Sequence, residues 1–132
     1  MATIFSRIVS GEIPSYKIAE TERCFAFLDI NPLKEGHTLV IPKREVDDFF
    51  DLSDEELKEL MIFSKRIATA IKKSFECKKV SVSVIGLEVP HAHLHLIPIN
   101  SMDDCNFMRP KIKVEEGRMI QIQETIQKNL TF

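Results

Sequence analysis

Three of the four histidines in this 132-residue chain fall within five positions: His91, His93 and His95, with Ala92, Leu94 and Leu96 around and between them. Imidazole has an ordinary pKa near 6.5, so at neutral pH it can act as nucleophile, proton carrier or metal ligand. The alternation has the period of a β-strand, which puts the rings on one face and the apolar side chains on the other. At about 3.3 Å per residue, His91 and His95 stand about 13 Å apart, too far to share one ion. A neighbouring pair could grip zinc at about 2.0 to 2.1 Å per ligand, but only with a third ligand from elsewhere. The spacing better suits imidazoles working on successive parts of one extended, polar substrate. A neutral imidazole can attack phosphorus, and a departing amine needs a proton; paired histidines can serve both steps.

Other routes to phosphate chemistry are missing. The four glycines form no Gly-x-Gly-x-x-Gly, no Walker loop and no Gly-x-Ser-x-Gly elbow, so imidazoles and backbone amides would have to hold any phosphate. Cys24, Cys77 and Cys105 are odd in number and far apart, which argues against a disulfide framework and for reduced thiols of the cytoplasm. None stands beside a histidine, so none is a candidate nucleophile. A net charge of −2, with basic residues scattered among acidic ones, offers no footprint for nucleic acid or a membrane surface. With 44% hydrophobic residues and no run near the roughly 18 apolar residues of a span, the chain reads as soluble and cytoplasmic. Its length reads as a single domain over residues 1–132.

The elements that must position the histidines are legible in outline. Residues 4–10 read as a short helix with Ile4, Phe5, Ile8 and Val9 on one side, closed by Gly11 and released by Ile13-Pro14. Strands are expected over 16–19 and 24–30 about a polar turn, then over 37–41 between Gly36 and Pro42. The strongest helix signal runs from Asp54 to about Cys77. Ser53 and Glu56 make a capping box there, and Leu57, Leu60, Met61, Ile67, Ala68, Ile71 and Phe75 recur at three- and four-residue steps. A Val/Ser alternation over 80–85 leads through Gly86 and Pro90 into the histidine strand, a short connection that favours antiparallel pairing. Periodicity is lost through Met108-Arg109-Pro110 and returns at Met119, Ile122, Ile126 and Leu130 as a terminal helix whose first turn Gly117 weakens. Segregated strands and helices read as α+β with an antiparallel sheet.

His91-Ala92-His93-Leu94-His95-Leu96-Ile97 resembles the His-x-His-x-His-hydrophobic-hydrophobic signature of the histidine triad (HIT) superfamily of nucleotide-binding hydrolases and transferases. Ile4-Phe5-Ser6-Arg7-Ile8, Gly11-Glu12-Ile13-Pro14-Ser15, Ala26-Phe27-Leu28-Asp29-Ile30 and Gly36-His37-Thr38-Leu39-Val40-Ile41-Pro42-Lys43 are similar to its Hint branch, related to protein kinase C interacting protein. They extend the resemblance over residues 4 to about 99. It implies a HIT-like α+β fold: an antiparallel sheet of about five strands with one long helix, a short N-terminal helix and a C-terminal helix, in a homodimer whose sheets join. The implied activity is hydrolysis or transfer at the α-phosphate of a purine nucleotide or its conjugate, of AMP or GMP type, with neither metal nor organic cofactor. His93 matches the nucleophile that carries the nucleotidyl group. His91 and His95 match residues that orient it and contact phosphate or assist the leaving group, and His37 matches an outlying site histidine. Ile4, Phe5, Ile8, Ile13, Phe27, Ile30 and Leu39 match an apolar slot around the purine, although by pattern alone each would pass as core. Asp29 reads by itself as a turn former before Asn31-Pro32 or as an acceptor for a ribose diol; the resemblance points to ribose.

The chain also departs from the pattern. Some relatives hold a structural zinc through a Cys-x-x-Cys near the N-terminus and a histidine past the Ile-Pro-Lys block; here those positions are Thr3, Ser6 and Glu45, so no zinc is expected. The segment Ile85-Gly86-Leu87-Glu88-Val89-Pro90 is shorter than the usual loop and lacks its Asn and Gln-Ser contacts to phosphate, and Glu88 would repel a phosphate it faced. No tryptophan marks the C-terminal tail. A nucleotide-binding or partner-binding module with little turnover is therefore the alternative reading.

Overall fold

The computed structural model describes residues 2–132. In chain order its main elements are α1 (Ile4–Val9), β1 (Lys17–Glu20), β2 (Cys24–Leu28), β3 (Thr38–Pro42), α2 (Asp54–Ser74), β4 (Lys79–Ser83), β5 (Leu94–Ile99) and α3 (Glu116–Lys128). The five strands pair antiparallel in the order β1-β2-β3-β5-β4, so β5 is inserted between the strands that flank α2 in sequence. The expected α+β architecture holds.

Strand alternation divides the core between the two faces of this sheet. On one face Ala26, Leu28, Val40, Leu94 and Leu96 pack with Leu60, Phe63, Ile67 and Ile71 of α2 and Met119, Ile122 and Ile126 of α3. On the other, Phe25, Phe27, Leu39 and Ile41 pack with Phe5, and Ile8 and Val9 lie against them. His91 and His93 pack against Phe5 on this second face.

Helix α2 begins where the sequence places it. Ser53 Oγ accepts from Glu56 N–H at 3.1 Å and Glu56 Oε1 accepts from Ser53 N–H at 2.9 Å, the reciprocal capping box. Its end comes three residues earlier than Cys77, at Ser74. Met61, placed on the apolar stripe by spacing, is 41% exposed, and Phe63 and Ala70 are buried in the stripe instead. Gly117 is the second residue of α3, in the first turn where the sequence places it.

The histidine stretch shows the main local difference from its pattern. Only His95 lies within hydrogen-bonded β5; His91 and His93 precede it. There the backbone finds other partners, with His91 N–H donating to Val89 O at 2.8 Å and Ala92 N–H donating to Val46 O. Nor is one face packed and the other open: His91, His93 and His95 are all buried. Asp29 likewise falls just past β2, and its own side chain explains the end of the strand, because Oδ1 accepts from Asn31 N–H at 2.8 Å.

The two sheet edges differ. Gln123 and Gln127 of α3 both donate to Lys17 O, at 2.8 and 2.9 Å, and so cover β1. The outer edge of β4 has no such cover among the described residues, and beside it Val82, Val84, Ile85 and Leu87 are exposed. No helix among the described residues is long and apolar enough to cross a membrane.

Candidate functional site

Register across the sheet sets Phe27, Leu39, His95 and Ser83 side by side on β2, β3, β5 and β4. His37 enters from the residue before β3. A tight approach fixes it: Gly36 has φ +94°, and a Cβ there would stand 2.6 Å from the Phe75 ring, so only glycine turns the chain into β3 without strain.

The partners of each ring assign its proton. Leu33 N–H can only donate, and it donates to His37 Nδ1 at 3.0 Å. The single proton of neutral His37 is therefore on Nε2, which lies 2.9 Å from His95 Nδ1 and donates to it. His95 in turn must carry its proton on Nε2. Burial pushes both pKa values down, His37 to about 3 and His95 to about 4, with neighbouring positive charge adding to the shift. Both rings are neutral at physiological pH.

His91 and His93 are tied in the opposite sense. His91 is fully buried. Its Nε2–H donates to Pro42 O at 2.8 Å, and its Nδ1 accepts from the Thr3 hydroxyl at 2.8 Å. Burial lowers its pKa too. With both ring nitrogens engaged, His91 can orient its neighbour but cannot reach a phosphate. The orienting contact is its backbone carbonyl, which accepts from His93 Nδ1–H at 2.7 Å. That places the lone pair of neutral His93 on Nε2. No buried side-chain nitrogen or oxygen lacks a partner among the described residues. The two triad nitrogens without a protein partner, His93 Nε2 and His95 Nε2, are therefore those the site opens to solvent. One offers a lone pair and the other an N–H, on rings whose centroids are 5.1 Å apart.

Helix α1 clamps this arrangement. The Phe5 ring sits edge-on to His91, His93 and Phe27 at 5.8, 5.0 and 5.5 Å. Thr3 Oγ1 caps the helix by accepting from Ser6 N–H, while Thr3 N–H and the Ser6 hydroxyl both donate to Glu45 Oε1, at 2.7 and 2.6 Å. The departures noted in the sequence, Thr3, Ser6 and Glu45, thus join His91 in one hydrogen-bonded cluster.

Of the apolar slot residues, Phe5, Ile8, Phe27 and Leu39 come together on the site face. Ile4 and Ile30 stay exposed, and Ile13 is half-buried outside that cluster. Asp29 has one oxygen committed to Asn31, while its Oδ2 lies 3.6 Å from His37 Nε2; with His37 neutral this is not an ion pair. Burial raises the Asp29 pKa, and Glu88 stands close enough to raise it further. Ligand atoms of Asp29, His37 and His95 lie within 4.8 Å of one another, close enough to suggest a metal. The donor chemistry does not fit: the Leu33 amide holds His37 Nδ1 as acceptor, so ligation through Nε2 would require an imidazolate. Hollows of about 420 and 410 Å³ elsewhere on the surface hold none of the histidines.

Sequence reasoning missed Leu33, whose contribution is a backbone amide, and also Phe107 and Lys111. The Phe107 ring packs on His95 at 4.8 Å and on His37 at 6.1 Å, and Lys111 Nζ lies 5.3 Å from the Phe107 ring centre. A lone aromatic within the polar stretch 100–113 was the available signal.

The sequence model of the HIT domain matches residues 10–102. Adenosine 5'-monophosphoramidase HNT1 of Saccharomyces cerevisiae is 43% identical over 98 residues, covering 74% of this chain and 62% of the yeast protein. Among solved structures, a Hit-like protein involved in cell-cycle regulation from Bartonella henselae superposes with a TM-score of 0.84 at 29% identity, covering 97% of this chain and 96% of that one. A zinc-bound histidine triad family protein from Mycobacterium smegmatis gives 0.83 at 27% identity, covering 98% and 93%.

Neutral buried histidines have a consequence for stability. Unfolding returns His37 and His95 from about 3 and about 4 to roughly 6.5, so between these values the unfolded chain binds more protons. Their contribution is complete above pH 6.5 and is lost as pH falls toward the folded values, at up to roughly 1.4 kcal/mol per unit for each group. Urea midpoints should fall between pH 7 and 5.5; a flat profile would contradict the neutral pair.

Proposed function

The chain belongs to the HIT domain family, and from that premise we propose that it hydrolyses purine nucleotide phosphoramidates through a covalent nucleotidyl group on His93. The observation that carries this reading is the pairing of His93 Nε2, a lone pair, with His95 Nε2–H, a donor, at the opening of an otherwise fully bonded histidine cluster. The relative that is an adenosine 5'-monophosphoramidase supports the substrate class.

The chemistry follows from the proton positions. His93 Nε2 attacks the α-phosphorus, and the positive charge developing on its ring is stabilised by Nδ1–H donating to His91 O. As the phosphorus–nitrogen bond breaks, the leaving nitrogen takes the bonding pair and one proton from solvent water. His95 Nε2–H is placed to donate to a phosphoryl oxygen or to the departing atom. It acts as a neutral donor, because a second proton on Nδ1 would face the His37 N–H that Leu33 holds in place. Water then displaces His93 from phosphorus and returns a proton to solvent, so atoms and charge balance over the two steps. No metal or organic cofactor takes part. Phe5, Phe27 and Leu39 form the apolar wall for the base, with Ile4, Ile8, Ile13 and Ile30 toward its rim. The free Asp29 oxygen accepts from the ribose diol, a reading compatible with its turn-forming Oδ1. Glu88 near Asp29 is the feature that favours the alternative, a nucleotide-binding module with little turnover.

The uncovered β4 edge fits a second copy of the chain, whose β4 would continue the sheet and bury Val82 and its exposed neighbours.

Two experiments test these readings. With an adenosine phosphoramidate, His93→Ala should lower kcat by at least about 10³, close to 4 kcal/mol of barrier, and rapid quench with alkaline peptide mapping should place the adduct on His93. An adduct on another histidine, or near-normal turnover, would overturn the mechanism. Sedimentation at micromolar concentration should show twice the 15.2 kDa chain mass, and Val82→Lys should reduce it to monomer. A wild-type monomer would refute the joined sheet.

A further inference from the structure

The first residue of the histidine row is tied at three points. His91 N–H donates to Val89 O and its Nε2–H to Pro42 O, each at 2.8 Å, and the Thr3 hydroxyl donates to its Nδ1 at 2.8 Å from 88 positions away in sequence. Two of these partners are backbone carbonyls. Thr3 is thus the one side chain that hydrogen-bonds to the His91 ring among the described residues, and the one tie that residue identity sets. Its hydroxyl has a single proton and two acceptors in reach. Ser6 Oγ stands farther off at 3.3 Å and gives its own proton to Glu45 Oε1 at 2.6 Å, so His91 Nδ1 is the acceptor. Ser6 N–H fills a lone pair of Thr3 Oγ1 at 3.0 Å, and Glu45 Oε1 holds Thr3 N–H at 2.7 Å.

This tie bears on the nucleophile because the same residue aims it. His93 Nδ1–H donates to the His91 carbonyl at 2.7 Å, so the position of that carbonyl sets the direction in which His93 Nε2 presents its lone pair. Without the Thr3 hydroxyl, a fully buried ring would keep an acceptor with no donor, a costly state. Changing tautomer offers no escape. A proton moved to Nδ1 would leave Nε2 facing Pro42 O, acceptor against acceptor. The relief that remains is movement of the His91 ring and, with it, of the carbonyl that holds His93.

We infer that Thr3 is a positioning residue for the nucleophile: its hydroxyl, acting through His91, aligns His93 Nε2 with the α-phosphorus. The inference rests on the hydrolase reading and adds to it a residue from outside the histidine row. With its proton on His91 and its oxygen capping α1, Thr3 has nothing left to offer a substrate. Its effect therefore falls on the rate of attack and not on nucleotide affinity.

The test measures kcat with adenosine 5'-phosphoramidate, Kd for AMP, and the NMR position of the His93 Nδ1 proton in the wild type, Thr3→Val, Thr3→Ala and Thr3→Ser. Valine keeps the shape of threonine, and alanine covers the case in which the second methyl does not fit. Both should lower kcat by at least about tenfold, within the roughly 10² that a 1 Å misplacement costs, while Kd for AMP stays within about twofold. Serine, which keeps the hydroxyl, should restore kcat to within about threefold of the wild type. The His93 Nδ1 proton should move upfield in the valine and alanine variants as its bond to His91 O lengthens, and return in the serine variant. Valine and alanine also remove the cap of α1. A loosened α1 would carry Phe5 and Ile8 with it and weaken AMP binding, which separates that effect from the tie to His91. Wild-type kcat in the valine and alanine variants, a loss matched by weaker AMP binding, a loss with the His93 proton unmoved, or a serine variant that fails to recover overturns this inference alone. No turnover by the wild type overturns the hydrolase reading, and this one with it.

Discussion

A buried neutral imidazole has one proton and two nitrogens, and the site depends on where each of its four histidines is made to put that proton. The fixed points are groups with no choice. The Leu33 amide can only donate and the carbonyls of Pro42 and His91 can only accept. From these constraints the tautomers propagate inward, Leu33 to His37 to His95 on one side and Pro42 and Thr3 to His91 on the other. Burial removes the charged alternative by pushing His37, His91 and His95 down. What emerges at the opening is a lone pair beside a donor, prepared before substrate arrives. Such preorganisation lets the protein stabilise developing charge without reorienting groups during reaction.

The fold serves this arrangement through its two-faced sheet. Helices α2 and α3 bury one face, so His95 sits on a strand backed by a full core, and His37, His91 and His93 sit on the segments that lead into β3 and β5. The other face is closed by α1, Val89 and the strap between β5 and α3 that carries Phe107. Beyond the packing of Phe5 and Phe107, hydrogen bonds anchor α1 through the Thr3, Ser6 and Glu45 cluster, and the strap through Asp104 and Ile112. The positions where some relatives place zinc ligands are here linked by hydrogen bonds, so in this chain the cluster itself joins α1 to His91.

The sequence revealed what periodicity and side-chain identity encode. The capping box at Ser53 and Glu56, the terminal helix at Met119, Ile122 and Ile126, and the turn into β3 at Gly36 follow from local rules and stand where those rules place them. The alternation at His91–His95 correctly put the imidazoles on one face, but it could not show that β5 starts only at Leu94, because the partners of the preceding residues are the backbone of Val89 and Val46. Met61 fell off the helical stripe because a spacing pattern cannot distinguish the flank of a helix from its buried centre. Least legible were the groups defined by tertiary contact alone: the Leu33 amide, which has no side-chain signature, and Phe107 with Lys111, which sit in a stretch without periodicity. The Leu33 amide fixes the tautomers of His37 and His95, and Lys111 adds a smaller charge effect to the burial that lowers their pKa.

The claim on which the rest stands is the fixed set of tautomers, and nitrogen NMR of the imidazole rings reads it directly. In protein labelled with 15N at histidine, measured at pH 8 where neutral rings are observed, long-range proton–nitrogen correlations distinguish the protonated nitrogen of each ring. The account predicts a proton on Nδ1 for His93 and on Nε2 for His37, His91 and His95, with His37 and His95 unchanged when the pH is lowered to 6. A proton on His93 Nε2, or a His95 ring that becomes charged near pH 6.5, would contradict it.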